Sequence, residues 1–158
     1  MRQHHWIFDG YNVMHALHQM HPEWPFETAR DAFIRQIETF QSRGDKQLTL
    51  VFDGQGTRIE MDTQHPQLRI IYSPMGLNAD GVILMLVRQT VPLLRPYVRV
   101  VTRDFMLRDA IVAYHCTVLS PKKFFQELNR YRGQSSRHTT LHSTYRPFQE
   151  FFKCNDAP

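Results

Sequence analysis

Short apolar runs, each closed by a polar turn, alternate along the chain with stretches of helical spacing. His5-Trp6-Ile7-Phe8 is apolar enough for a buried strand and stops at the turn pair Asp9-Gly10. Val13 to Met20 predicts a short helix. The segment from His21 to Pro25 ends it, because Pro22 and Pro25 disfavour helix at and before their positions. From Thr28 to Ser42 the apolar residues Ala29, Phe33, Ile37 and Phe40 fall at helical spacing, and Gly44 suits the stop. Leu48 to Phe52 predicts a second strand, again closed by Asp-Gly at Asp53-Gly54, and Leu68 to Tyr72 a third. Ser73 to Leu77 reads as a loop and Asn78 as the cap of a helix from Ala79 to about Val91. A fourth strand covers Tyr97 to Thr102, a helix Asp104 to Tyr114, and a short fifth strand Thr117 to Leu119. Ser120 then caps a helix with Pro121 in its first position, carrying Phe124, Phe125 and Leu128.

Strands alternating with helices predict an α/β fold in three layers, a central parallel sheet of four or five strands covered by helices on both faces. With 158 residues, the chain favours one domain over residues 1–132. Residues 133–158 read as a basic, aromatic tail, in which Arg137 and Arg146 stand among Tyr145, Phe148, Phe151 and Phe152. Hydrophobic residues are 42% and charged residues 22%, an ordinary globular composition. A net charge of +4 is compatible with a polyanionic partner without requiring one. Cys116 and Cys154 fit no metal spacing and read as reduced thiols of a cytoplasmic protein. No segment approaches the roughly 18 apolar residues of a membrane span, so no membrane partner is expected.

Chemistry is expected where an open parallel sheet forms its sites, beyond the carboxyl ends of its strands. Asp9 follows the first strand, Asp53 the second, Asp80 opens the helix after the third, and Asp104 follows the fourth. Each alone also fits a local role: Asp before Gly is a common turn pair, and Asp80 and Asp104 suit helix starts. Together they fall on one edge of the predicted sheet. Carboxylates gathered in one place repel, and a compensating hard cation, Mg²⁺ or Mn²⁺, suits oxygen-only ligands. Rival constellations are weaker. Gly54-Gln-Gly56 lacks the rest of a phosphate loop, no Gly-x-Ser-x-Gly elbow exists, and the pairs His15/His18 and His138/His142 have no cysteine partners.

Ile7-Phe8-Asp9-Gly10-Tyr11-Asn12 resembles the opening motif of NYN domains, the PIN-like nucleases. Ala29-Arg30, Val51-Phe52-Asp53-Gly54, Asn78-Ala79-Asp80 and the run from Val100 to Asp104 follow in the order of the YacP-like branch. Ser120 with Phe124, Glu127 and Leu128 continues it, so the resemblance spans roughly residues 5 to 130. It implies a PIN-like fold and a divalent-metal-dependent endoribonuclease, with single-stranded RNA as substrate and mRNA on the ribosome as its setting. Carried over by position, Asp9, Asp80 and Asp104 match the acidic centre and Asn12 the polar residue beside the first acid. Asp53 matches a recurrent position and is expected near the metal. Arg30 and Arg103 are expected to hold RNA phosphates. Two positions depart from the family: Arg103 stands where Ser is frequent, and Gly81 where an acid often follows the Ala-Asp pair. Those departures motivate the alternative of a non-catalytic RNA- or ribosome-binding module on the same fold.

Overall fold

The computed structural model describes residues 3–41, 46–62 and 68–135. The chain divides into two units, Met1–Leu128 and Asn129–Pro158. The first begins with β1 (His4–Asp9), α1 (Gly10–Met20), α2 (Phe26–Gln41), β2 (Lys46–Asp53), β3 (Glu60–Asp62) and β4 (Leu68–Ser73). It continues with α3 (Ala79–Gln89), a 3₁₀ turn (Pro92–Tyr97), β5 (Val98–Val101), α4 (Phe105–Val112) and β6 (Thr117–Leu119). The last helix is α5 (Pro121–Ser135). Of the expected tail, everything beyond Ser135 lies outside the described residues.

One sheet has the order β3-β4-β2-β1-β5-β6. Its parallel part has five strands, as the apolar runs predict. The addition is β3, which pairs antiparallel with β4 through Met61 and Ile71. Sequence reading misses β3 because its three residues, Glu60, Met61 and Asp62, carry no buried face. In the middle of the sheet the last four residues of β1 are all buried, the pattern of a strand covered on both sides.

The two faces of β1 build two cores. Trp6 and Phe8 meet Phe40, Phe33 and Phe124, with the Phe8 and Phe124 rings 4.9 Å apart. Ile7 belongs to the opposite core with Val51, Val82, Ile83, Val100 and Ile111, beneath α3 and α4. Each fully buried ring or branched side chain stabilises the fold by about 1.5–3 kcal/mol relative to exposure.

Among the boundaries that differ from the sequence reading, three have clear local reasons. Helix α1 starts at Gly10 rather than Val13, because Asp9 is its N-cap. Gly10 permits that start: a Cβ there would meet the Phe52 ring at 2.4 Å and the Val51 carbonyl at 2.8 Å. Helix α4 is shorter than expected, since Asp104 is its cap and His115 turns the chain with φ 62°. Helix α3 ends at Gln89, before Val91 and Pro92 begin the 3₁₀ turn.

Strand order decides where a site forms. From β1 the chain builds outward to β2 and β4, then returns to β5 on the other side of β1 and continues to β6. The reversal therefore lies between β1 and β5, where open α/β sheets place their ligand crevice beyond the strands' carboxyl ends.

Candidate active site

Asp9 closes β1 at this reversal and is only 7% exposed. It occupies the N-cap of α1, yet its side chain caps nothing there. Instead its Oδ2 accepts a hydrogen bond from the Thr102 hydroxyl at 2.9 Å, across the β1–β5 gap. Burial pushes the Asp9 carboxyl up to about 7. The Thr102 hydrogen bond opposes that rise, and the negative charges of Asp80, Asp53 and Asp104 add to it. The other three sequence-predicted acids therefore all act on Asp9.

Each of those three has its own place. Asp53 ends β2, and its Oδ1 accepts from the Ala79 N–H at 2.7 Å, tying the strand to the start of α3. Asn78 caps the same helix as predicted, accepting from Gly81 N–H at 3.0 Å. Asp80 lies in the first turn of α3 and makes no hydrogen bond or ion pair among the described residues. Its carboxyl is held above the ordinary value by burial first, then by Asp104 and Asp53. Asp104 caps α4 through Oδ1, which accepts from the N–H groups of Met106 (2.8 Å) and Leu107 (3.0 Å). Its own N–H donates to the Thr102 hydroxyl at 3.1 Å. The local roles weighed for Asp104 and Asp80 are thus partly realised, and each carboxylate retains an oxygen that no hydrogen bond among the described residues uses.

The polar neighbours are more occupied than the sequence suggests. Asn12 Oδ1 accepts from the Arg103 backbone N–H at 2.6 Å, so its carbonyl end ties α1 to the loop after β5. The Arg103 guanidinium donates to Gln19 Oε1 at 2.8 Å and pairs with none of the acids among the described residues. Arg30 donates to the Tyr72 hydroxyl at 2.8 Å and lies 5.7 Å from the Phe52 ring centre. Gly81, where the family often has an acid, faces Leu77: a Cβ would lie 2.3 Å from the Leu77 Cδ1 atom. Thr102 is the residue that sequence reading missed. Its signal was a hydroxyl at the end of an apolar strand, two residues before an acid. The pair His15/His18 shows no metal arrangement: His15 lies against the Phe26 ring and His18 Nε2 meets the Trp24 carbonyl at 3.0 Å.

The donor chemistry fits a hard divalent cation. All candidate ligands are carboxylate oxygens, and burial together with the neighbouring carboxylates holds Asp9 and Asp80 above the ordinary carboxylate value. Among the described residues no three of His, Cys, Asp or Glu stand together as a group that could hold a metal ion. Mg²⁺ does not need three, since it is held through one or two carboxylates with water and substrate phosphate completing its shell.

Comparison with known proteins places this arrangement. No curated protein matches the chain. Among solved structures, the Bacillus subtilis protein Rae1 (YacP) is similar at 23% identity and a TM-score of 0.61, covering 87% of this chain and 79% of that one. A tryptophan-to-leucine variant of Rae1 is similar at 21% identity and a TM-score of 0.67, over 85% and 80% of the two chains. At these identities the likeness establishes the shared fold. The description "YacP-like NYN domain" matches residues 6–150, reaching further toward the C-terminus than the motifs noted above. The chain belongs to the YacP-like NYN domain family, with its PIN-like nuclease fold.

Proposed function

We propose that this chain is a divalent-metal-dependent endoribonuclease that hydrolyses phosphodiester bonds of single-stranded RNA. The observation that carries the reading is the electrostatic convergence of Asp53, Asp80 and Asp104 on the buried Asp9, at the strand-order reversal of a nuclease fold. Of Asp9, Asp80 and Asp104, Asp9 and one of the other two would hold Mg²⁺ or Mn²⁺ directly, with the remaining acid and Asp53 acting through water beside it. The bound ion supplies a more acidic water and a counter-charge for the phosphate. The chain's own residues do the rest. Thr102 fixes the Asp9 carboxylate by donating to one of its oxygens, leaving the other for the ion. Asn12 holds the loop that carries Asp104 and keeps its amide N–H₂ for a water or phosphate oxygen. Arg103 and Arg30 retain unused guanidinium N–H groups for phosphates on either side, contacts that give little sequence choice. The family resemblance further suggests mRNA on the ribosome, in the cytoplasm, as the setting.

The test is cleavage of an end-labelled single-stranded RNA with Mg²⁺ or Mn²⁺, with EDTA as control. Asp80→Asn is the most informative variant, because the Asp80 carboxylate supports no hydrogen bond of the fold. Metal-dependent cleavage lost in Asp80→Asn supports the reading. RNA that is bound but never cut by the unmodified chain, with either ion, would favour the non-catalytic module.

A further inference from the structure

Two surfaces flank the acids, one on each side of β1 in the sheet order: a groove of mixed polar and apolar lining, and an exposed apolar pair. On the β2–β4 side a groove of about 400 Å³ is lined by Asp53, Ser73, Pro74, Met75, Leu77 and Asn78. On the β5 side, Phe105 (74% exposed) and Met106 (86% exposed) open α4 directly after Asp104. Large apolar side chains this exposed cost solvation unless something covers them.

The chemistry of the groove selects its occupant. None of its lining residues is a cation, and Asp53 brings a carboxylate whose Oδ1 is already used by the Ala79 N–H. A phosphate is therefore repelled. A flat, neutral group with an amino donor is accommodated: Met75 and Pro74 offer apolar contact, and the second Asp53 oxygen and the Asn78 amide offer hydrogen bonds. Met75 is itself 73% exposed, so it is free to lie against a ring. The groove adjoins the acids in the fold: Asp53 stands two residues beyond Val51, the strand partner of Asp9, and Asn78 two residues before Asp80.

Resting on the nuclease reading above, we propose that these two surfaces are nucleobase subsites. One unstacked base sits in the Met75–Leu77 groove, and another stacks on Phe105, on either side of the phosphate held at the acids. A strand bound this way must have its bases unpaired and splayed, so the site selects single-stranded RNA by stacking rather than by a base-edge code. A base with an exocyclic amino group can donate to the free Asp53 oxygen, which adds a preference for adenine, cytosine or guanine over uracil in the groove.

The experiment measures RNA affinity by fluorescence anisotropy for the full chain carrying Asp80→Asn, which keeps the RNA intact. Phe105→Ala and Met75→Ala are then added singly. Both residues are surface-exposed, so the melting temperature should not change. Phe105→Ala is expected to weaken binding of single-stranded RNA about five-fold to a hundred-fold. An RNA with single abasic positions should reproduce that loss at one position for each subsite, and the matching variant should show no further loss with it. Replacing the groove base by uracil should weaken binding less than removing it. Unchanged affinity in both variants, or equal binding of duplex and single strand, overturns the subsites while leaving cleavage by the unmodified chain to be judged separately. Weakened binding in the variants with no cleavage by the unmodified chain would instead overturn the hydrolytic reading and leave the subsites standing.

Discussion

Replacing Asp9 by Asn is expected to stabilise the metal-free protein, and to do so only above mildly acidic pH. In the folded chain burial, with three neighbouring carboxylates, raises Asp9 from 3.8 to about 7. The folded state thus binds this proton more tightly than the unfolded chain does. Stability associated with Asp9 is present in full below about pH 4, falls as pH rises from about 4 to about 7, and is then level. At about 1.4 kcal/mol per pH unit, the ionised carboxylate costs the fold at most about 4 kcal/mol at pH 8. An asparagine carries no charge, and its Oδ1 still accepts from the Thr102 hydroxyl. Urea unfolding of both proteins in EDTA, at pH 4.5 and pH 8, reads the difference directly. Asp9→Asn should be the more stable at pH 8, and the gap should shrink toward zero at pH 4.5. A variant less stable than the unmodified chain at pH 8 would refute the reasoning, and would make Asp9 a structural group rather than a charge kept for a cation.

Other expectations test other links. Saturating Mn²⁺ at about a hundred times its dissociation constant should stabilise the unmodified chain by about 2.7 kcal/mol in thermal unfolding, with little of that gain left in Asp9→Asn. Thr102→Val removes a donor to Asp9 and an acceptor from the Asp104 N–H; urea unfolding should find a loss of about 1–3 kcal/mol, and cleavage should fall with it. Gly10→Ala drives a methyl group toward the Val51 carbonyl, which as strand backbone cannot move aside, and should cost about 1–3 kcal/mol by the same measurement. Asn12→Ala frees only an exposed Arg103 N–H for water, so kcat should fall while the melting temperature barely moves.

What the sequence reveals depends on how local the physics is. Period and punctuation located all five parallel strands, because each is an apolar run closed by a polar residue: Asp9 and Asp53 end β1 and β2. Caps were equally legible, since Asn78 and Ser120 act within three residues of themselves. Strand β3 was not, because its pairing with Tyr72, Ile71 and Ile70 rests on backbone hydrogen bonds that need no particular side chains. In the site, the acids could be placed on one edge from their positions just after the predicted strands. Their supports could not: Thr102 reaches Asp9 across 93 positions of chain, and Arg103 meets Gln19 across 84. Arg103 illustrates the limit most clearly. In sequence it stands only as a departure from the family and a candidate phosphate holder, and nothing there shows that its guanidinium donates to Gln19 of α1.

The central claim is that these acids hold a divalent ion where an RNA phosphate can reach it, and crystals soaked in Mn²⁺ test it most directly. Anomalous scattering should place one ion at the carboxyl end of β1, with a carboxylate oxygen of Asp9 and of at least one of Asp80 and Asp104 at about 2.1 Å. In Asp9→Asn crystals soaked the same way, that peak should be lost or much reduced. An ion bound elsewhere, or no ion at this edge while Mn²⁺ still supports RNA cleavage, would contradict the account.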